Sequence, residues 1–254
     1  ILDGKFKSSK KFIIEEFLEG EEASYFVITD GDHYIPIGTA QDHKRIGEGD
    51  TGPNTGGMGA YSPSLIIDEN IEKKIQTKII EPTLKGLNKI GCKFTGILYA
   101  GLMISNGEPK LIEYNIRFGD PECQVLMMRL KTDLLTLVNA VKKNKIHEMN
   151  ILWNEKPCIT VVAAAKGYPD KYNNLTEIKN IEKIKTNDQE QLFHAGTILK
   201  DNKILANGGR VLNATCLGKT LEEAKNKANA MLDAIDWQDM YYRKDIGWRA
   251  FKKN

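Results

Sequence analysis

The stretch that decides the fold is Glu113-Tyr114-Asn115-Ile116-Arg117-Phe118-Gly119-Asp120-Pro121-Glu122. Glu113 and Asn115 stand two residues apart on a predicted strand, so their side chains lie on the same face. A carboxylate beside an amide oxygen suits a hard cation such as Mg²⁺, which also binds waters and substrate phosphates. If the strand continues, Arg117 lies on that face too, where a guanidinium can bridge phosphate oxygens. The alternative is an edge strand with a hydrated polar face.

A hairpin leads into this stretch, and helices follow it. Thr95 to Ile104 and Pro109 to Asn115 are predicted as two strands that turn at Asn106-Gly107, a favoured hairpin turn. One helix is predicted to begin at Glu122 and a second to cover Leu134 to Val141. The polar pair therefore sits at the end of the second strand of the hairpin.

Further strands and a long helix are predicted before the hairpin. Apolar runs indicate strands over Lys11 to Phe17, Ala23 to Thr29 and Tyr34 to Ile37. Isoleucine and leucine recur at helical spacing from Asp68 to Ile90, with an aspartate as a plausible cap. Pro82 opposes an unbroken helix, because proline kinks or divides one.

The pattern breaks near residues 150–157, and a domain boundary is predicted there, giving domains 1–153 and 154–254. Beyond it, the pattern predicts the strands Cys158 to Ala165, His194 to Leu199, Lys203 to Ala206 and Val211 to Leu217, and the amphipathic helix Thr220 to Ile235. Mixed helices and strands of this kind indicate an α+β protein.

A glycine-rich segment without periodicity occupies residues 40–63. It begins with Gln41-Asp42-His43-Lys44-Arg45, and four glycines follow between Gly52 and Gly59. Glycine lets backbone N–H groups approach an anion closely, and Lys44 can supply charge to a phosphate. It lacks the Gly-Lys-Ser/Thr sequence of a P-loop. The alternative is a flexible surface loop.

An acidic segment, Glu15-Glu16-Phe17-Leu18-Glu19-Gly20-Glu21-Glu22-Ala23-Ser24, forms the third motif. A strand that ends in acids and resumes after glycine can form a hinge. Its backbone could bind an adenine edge while an acid binds ribose hydroxyls. The alternative, a solvated acidic hairpin, is favoured when the segment is considered alone.

Composition narrows the function classes. The 254 residues carry a net charge of +2 and no dense Lys/Arg cluster, which argues against a nucleic-acid partner. No apolar run is long enough for a membrane helix. The four cysteines, Cys92, Cys123, Cys158 and Cys216, lack zinc-site spacing and are predicted to be buried free thiols in a cytoplasmic protein.

Together and in this order, the motifs resemble the later part of the phosphoribosylamine–glycine ligases, which are ATP-grasp enzymes. The resemblance is carried by residues 41–63, 98–103, 113–122 and 243–249, and it runs from about Lys11 to Ala250. It implies an ATP-grasp domain, incomplete at its N-terminus, over residues 1–153. A small mixed β/α C-terminal domain over residues 154–254 follows.

The resemblance also implies a reaction. This family joins glycine to 5-phosphoribosylamine in purine biosynthesis, with ATP converted to ADP and phosphate through a glycyl phosphate. Glu113 and Asn115 match its residues for Mg²⁺ or Mn²⁺, and Asn115 also contacts ATP. Arg117 would stabilise charge on the transferring phosphoryl group.

The remaining site residues follow from the same comparison. The adenine hinge falls on Glu15, Glu16, Phe17 and Leu18, and Glu22 lies on the ribose side. Lys44 is assigned to catalysis through its charge. Asp120 and Glu122, also assigned to catalysis, lie where substrate amines could be held, an assignment that rests on their charge alone.

Arg210 and the C-terminal tail also resemble the family. Arg210 follows Gly208-Gly209 and could touch a substrate phosphate, although the glycine pair is favoured as a plain tight turn. Trp248 and its charged neighbours are predicted to be packing and surface residues.

The chain departs from the family pattern in two ways. The expected N-terminal nucleotide fold and the first ATP-grasp lobe are not in it, which predicts a fragment or a split gene, an incomplete enzyme, and a partner that supplies the missing portion. Gly96 to Met103 also lacks the acid that many ATP-grasp relatives carry as a second metal ligand. Another ATP-grasp carboxylate–amine ligase and a non-catalytic nucleotide-binding fragment remain alternatives.

Overall fold

One long antiparallel sheet organises residues 13–251, the part of the chain that the computed structural model describes. The strands are β1 Glu21–Thr29, β2 Tyr34–Asp42, β3 Arg45–Gly47, β4 Thr51–Asn54, β5 Gly59–Ser62, β6 Gly96–Ser105, β7 Glu108–Asn115, β8 Cys158–Ala165, β9 Glu177–Ile178, β10 Glu190–His194, β11 Thr197–Lys200, β12 Lys203–Ala206, β13 Arg210–Leu217 and β14 Met240–Tyr241. The α-helices are α1 Glu69–Ile75, α2 Glu81–Lys89, α3 Glu122–Arg129, α4 Leu134–Lys142, α5 Leu221–Asp233 and α6 Trp248–Phe251. The large sheet has the order β10-β13-β8-β5-β2-β1-β6-β7, and β14 pairs with β8.

Strand β1 lies at the centre of the first half and is buried on both faces. Tyr25 and Val27 pack with the helices α1 and α2, whereas Phe26 and Ile28 pack with α3 and α4. Side chains alternate along a strand, so one apolar run supplies both cores. The three layers fix the end of β1 where Glu22 lies.

The predicted helix over residues 68–90 is confirmed, with one local change. Asp68 caps it by accepting a hydrogen bond from the Ile71 amide. Between α1 and α2 the chain makes a π-helical turn over Gln76–Ile80. This wider turn places Pro82 in the first turn of α2, where an amide N–H is not needed.

The predicted hairpin is also confirmed, and it contains a bulge that places the site. Asn106 and Gly107 both have positive φ, 50° and 73°, as a type I′ turn requires. The register between β6 and β7 shifts so that Gly101 pairs with Glu113 and Leu102 with Leu111. The shift makes Ile112 the extra residue of a β-bulge.

The strand predicted over Lys11 to Phe17 is wrong where it can be compared. Residues 11 and 12 lie outside the described residues, and residues 13–19 form no strand. Ile13, Ile14 and Phe17 are 84–87% exposed. An apolar run becomes a buried strand only beside a partner strand and a covering layer, and residues 13–17 have neither among the described residues.

Two further expectations need correction. Residues 40–63 contain the end of β2 and three short strands rather than an unstructured loop. The strand predicted over His194 to Leu199 is two strands, because the chain crosses at Gly196 from the large sheet to a small one formed by β9, β11 and β12. A Cβ at Gly196 would lie 2.6 Å from the Arg210 carbonyl oxygen, so this crossing needs glycine.

The second half is built around the fully buried strand β8. It lies between β13 and β5, and α5 covers it. The helix predicted over Thr220 to Ile235 is confirmed as α5, and Thr220 caps it. Because β5 belongs to the first predicted domain and is hydrogen-bonded to β8, the two predicted domains share one sheet, and a boundary at 153–154 stays a prediction. All four cysteines are free, but only Cys158 and Cys216 are buried.

Candidate functional site

Glu113 and Asn115 lie side by side at the end of β7, as predicted. The Asn115 amide donates a hydrogen bond to Glu113 Oε1 over 3.1 Å. The paired residue on β6 is Gly101, where even a Cβ atom would come within 3.2 Å of Glu113 Cγ. Strand β6 has no acidic residue, so it offers no carboxylate beside the pair.

A recess beside Glu113 brings several predicted residues together. Its walls include Glu22, Asp42, Lys44 and Glu113, which come from β1, the end of β2 and β7. Lys44 Nζ lies 2.8 Å from Glu22 Oε2. Burial lowers the pKa of Lys44, but the charges of Asp42 and Glu22 outweigh it and raise the pKa overall. Lys44 is therefore a firmly charged ammonium group within a mainly acidic recess.

Glu122 faces the same cluster from the start of α3. It is 3% exposed, and the hydroxyl groups of Tyr99 and Ser24 donate to its Oε1 over 2.9 and 3.1 Å. Burial and then the charge of Glu122 raise the pKa of Asp42. Ser24, Asp42 and Tyr99 are not among the predicted site residues, because single polar residues in buried strands carry no local signal. Asp42 alone had one, its place in the charged Gln41–Arg45 run.

The predicted adenine segment lines a cavity of about 550 Å³ next to the recess. Its lining includes every residue assigned to the hinge and the ribose: Glu15, Glu16, Phe17, Leu18 and Glu22. The opposite wall comes from β6 and β7 through Met103, Leu111 and Ile112. Lys110 Nζ lies 2.7 Å from Glu16 Oε1 and holds the segment against β7. A cavity lined by both apolar and acidic side chains suits a base and its ribose.

Arg117 and Asp120 lie outside this recess. Strand β7 ends at Asn115, so strand alternation does not set the direction of Arg117. Its guanidinium donates to the Phe118 carbonyl over 2.8 Å. Arg117 and Asp120 line a neighbouring groove of about 500 Å³. Arg117 was expected to share a face with Glu113 if the strand continued as far as Arg117. Because β7 ends at Asn115, that condition is not met.

Arg210 links the glycine-rich segment of residues 40–63 to the stretch of residues 113–122. Its guanidinium lies 2.9 Å from Asp120 Oδ2 and donates to the Asp120 and Gly56 carbonyls over 2.7 and 2.8 Å. The preceding Gly208-Gly209 pair turns between β12 and β13, as predicted. The sequence does not show the clamp, since its partners are 90 and 154 residues away.

Asp50 is the centre of a network of ion pairs and hydrogen bonds that links the glycine-rich segment to the C-terminal tail. Its carboxylate lies 2.9 Å from both Arg243 and Arg249, accepts from the Trp248 indole over 3.0 Å, and lies 3.4 Å from His43 Nδ1. Although burial raises the pKa of Asp50, its bonds to His43 and Arg243 lower it overall. The tail was predicted to be packing and surface, yet Arg243 is fully buried within this network.

Among described residues, no helix is long and apolar enough to cross a membrane.

Comparisons with known proteins show what this chain is similar to. Residues 1–123 match the family model described as phosphoribosylglycinamide synthetase, ATP-grasp (A) domain, and residues 158–249 match its C domain. A phosphoribosylamine–glycine ligase from Brucella melitensis is 53% identical over 241 residues, which is 95% of this chain and 56% of the relative. The chain thus spans about half the length of the curated relatives that it matches.

Solved structures show the same relationship. A phosphoribosylamine–glycine ligase from Thermotoga maritima superposes with a TM-score of 0.78 and 36% identity, over 91% of this chain and 56% of that one. The biotin carboxylase domain of Hydrogenobacter thermophilus 2-oxoglutarate carboxylase, solved with MgADP and bicarbonate, has a TM-score of 0.62 at 13% identity, over 88% of this chain and 47% of that one. The fold and groove are those of an ATP-grasp protein. Within that class, the chain belongs to the phosphoribosylamine–glycine ligase family.

Proposed function

We propose that this chain supplies the nucleotide and metal side of a ligase that joins glycine to 5-phosphoribosylamine. The products are glycinamide ribonucleotide, ADP and phosphate, in purine biosynthesis. One observation carries the proposal: the cavity at residues 15–18 and the recess that holds Lys44 and Glu113 are neighbours that share Glu22 and Ile112 in their linings. A nucleotide with its base in the cavity would therefore extend its phosphates toward Glu113 and Asn115. The identity to named phosphoribosylamine–glycine ligases supports glycine and 5-phosphoribosylamine as the substrates.

The donors at the end of β7 fit Mg²⁺ or Mn²⁺. Glu113 and Asn115 offer a carboxylate and an amide oxygen in adjacent positions, and hard cations prefer oxygen. Such a cation bound with ATP neutralises phosphate charge during transfer. A fold neighbour solved with MgADP supports the assignment. Gly101 in the position opposite Glu113 leaves room for water and phosphate oxygens in the shell.

The charged residues around the recess have distinct proposed roles. Lys44 supplies a permanent positive charge for phosphate, while Arg117, which is exposed, would have to swing from the Phe118 carbonyl to reach it. Of the two acids proposed to hold substrate amines, Glu122 is the better placed. Its charge acts on Asp42 inside the recess, whereas the Asp120 carboxylate is paired with Arg210. No side-chain nucleophile is needed, because an acyl phosphate is already activated.

The test is a coupled assay of ADP release with the purified chain. ATP, Mg²⁺, glycine and fresh phosphoribosylamine are supplied, with and without the part of the curated relatives that this chain does not span, added in trans. We expect ADP release with both parts, and only when glycine and phosphoribosylamine are both present. ADP release that requires a carboxylate substrate other than glycine would indicate another ATP-grasp ligase. Nucleotide binding without release in the presence of both parts would indicate a non-catalytic protein.

A further inference from the structure

A second cluster of potential metal ligands lies at the other end of β1, about 26 Å along the strand from Glu22. Asp30 and His33 belong to the turn between β1 and β2, and His147 comes from the 3₁₀ turn Ile146–Glu148. One potential ligand atom from each residue lies within 4.8 Å of the others. The two imidazole rings are 4.2 Å apart between centroids.

The carboxylate of Asp30 is held in place and is incompletely bonded. The side chain has no exposed surface. Its Oδ1 accepts hydrogen bonds from the amides of His33 and Asp32, over 2.8 and 3.0 Å. Its Oδ2 is buried and has no hydrogen-bond partner among the described residues. A buried acceptor without a partner costs free energy, so a cation bound at this carboxylate would stabilise it.

The charge state of Asp30 agrees with this role. Burial raises its pKa, but the backbone amides of His33 and Asp32 lower it overall. Backbone donors that orient a carboxylate are also the usual outer-shell support of a metal ligand.

The geometry points to a binding site for one Zn²⁺-type divalent cation, which we propose is held by Asp30, His33 and His147. Two imidazoles and one carboxylate favour zinc and its transition-metal neighbours over Mg²⁺. Bonds of 2.0–2.1 Å put tetrahedral ligand atoms about 3.3 Å apart. His33 Nδ1 and Asp30 Oδ1 are already 3.6 Å apart, and the exposed imidazole of His33 can rotate.

The fourth position would face solvent. A cavity of about 430 Å³ opens beside both histidines, and Asp32, Glu81 and Asn88 also line it. Water can therefore complete the shell. The cation would join the β1–β2 turn to the 3₁₀ turn after α4, two segments that are distant in sequence. It would brace the end of the sheet opposite the ATP groove and take no part in ligation.

The competing explanation is a purely structural turn. Asp30 would then only cap residues 30–33 through Oδ1, and the two histidines would only stack. Both explanations use the same hydrogen bonds, so they differ in one measurable property: stoichiometric binding of zinc that depends on both imidazoles.

The experiment titrates the EDTA-treated full chain with Zn²⁺ by calorimetry, in excess Mg²⁺ and without nucleotide. Cys92, the exposed thiol, is replaced by serine in every protein so that it does not compete. We expect one equivalent of Zn²⁺, and a loss of affinity of more than about tenfold in His33→Gln and in His147→Gln. The control is His194→Gln, which removes an exposed histidine bonded to Thr197 and should change nothing.

A second readout uses Co²⁺, whose visible absorption reports four-coordinate binding. The spectrum should appear with the starting protein and vanish in the His147→Gln variant. Both histidines are exposed, so circular dichroism should show folded variants. Less than half an equivalent of Zn²⁺, or binding that survives both substitutions unchanged, would overturn the proposal in favour of the structural turn.

Discussion

Two walls of the proposed ATP site, which meet at Glu22, are built in opposite ways. The glycine-rich wall, β3 and β4 with the turn between them, is fastened by Asp50 to Arg243 and Arg249. The proposed adenine wall, residues 15–18, forms no strand, and its side chain Phe17 is exposed, as are Ile13 and Ile14 just before it. The wall with many glycines is anchored, and the apolar wall is open.

This contrast shows what decides local order. Glycine raises the backbone entropy that folding must overcome, yet buried ion pairs can overcome it when geometry and hydrogen bonds are complete. Apolar side chains order a segment only if another surface covers them. The anchored wall is thus suited to holding the phosphate end of the groove in place, and the open wall is suited to closing over a base.

The largest effect is expected for a substitution of Glu113, and it is an effect on turnover. In an enzyme with all its parts, Glu113→Gln should lower turnover by orders of magnitude, since lost metal positioning costs several kcal/mol. ADP release at saturating Mg²⁺ measures it. The matched control is Glu108→Gln on the same strand, which breaks only the pairs with Lys74 and Lys78. Unchanged turnover of Glu113→Gln would show that Glu113 takes no part in catalysis.

The next effect tests the anchored wall. Arg243→Leu leaves Asp50 and Asp245 without their buried partner and should lower the free energy of unfolding by about 3–5 kcal/mol. Urea unfolding measures this change. Lys203→Ala, which breaks an exposed pair with Glu177, is the control and should cost about 0–1 kcal/mol. Equal costs for the two variants would mean that Asp50 does not anchor the wall.

Sequence analysis found the site residues whose signal is local and missed those whose partners are distant. The Glu113–Asn115 pair follows from strand alternation, and the hairpin before it follows from Asn106-Gly107. The anchoring of Asp50 depends on Arg243, 193 residues later, so no pattern within the glycine-rich segment reveals it. The strand predicted over Lys11 to Phe17 is wrong for the same reason. Burial of its apolar side chains depends on a covering surface elsewhere in the chain, which the local sequence does not reveal.

A smaller effect concerns pH and the same anchor. Burial, aided by the charges of Arg243 and Arg249, lowers the pKa of His43 against the opposing effect of Asp50. Its Nε2 accepts a hydrogen bond from the Gly247 amide over 2.9 Å, which also favours the neutral ring. The unfolded chain, with a histidine pKa of about 6.5, then binds more protons than the folded one.

Stability from His43 is therefore present above about pH 6.5 and is lost as the pH falls toward the folded pKa. The slope reaches at most about 1.4 kcal/mol per pH unit. His43→Gln should remove this part of the slope, and the difference between the two proteins isolates it from other titrating groups. Urea midpoints between pH 5 and 8 measure it, and parallel curves would contradict the prediction.

The smallest effect on stability is expected in the open wall. Phe17 is 87% exposed, so Phe17→Ala should change the free energy of unfolding by less than about 0.5 kcal/mol. It lines the cavity, however, and burying an aromatic ring against a base is worth about 1.5–3 kcal/mol at most. ATP affinity, measured by calorimetry, should therefore fall by roughly tenfold. Ile14→Ala, equally exposed but outside the cavity lining, should leave affinity unchanged. Loss of stability without loss of affinity in Phe17→Ala would mean that this wall is packed rather than open.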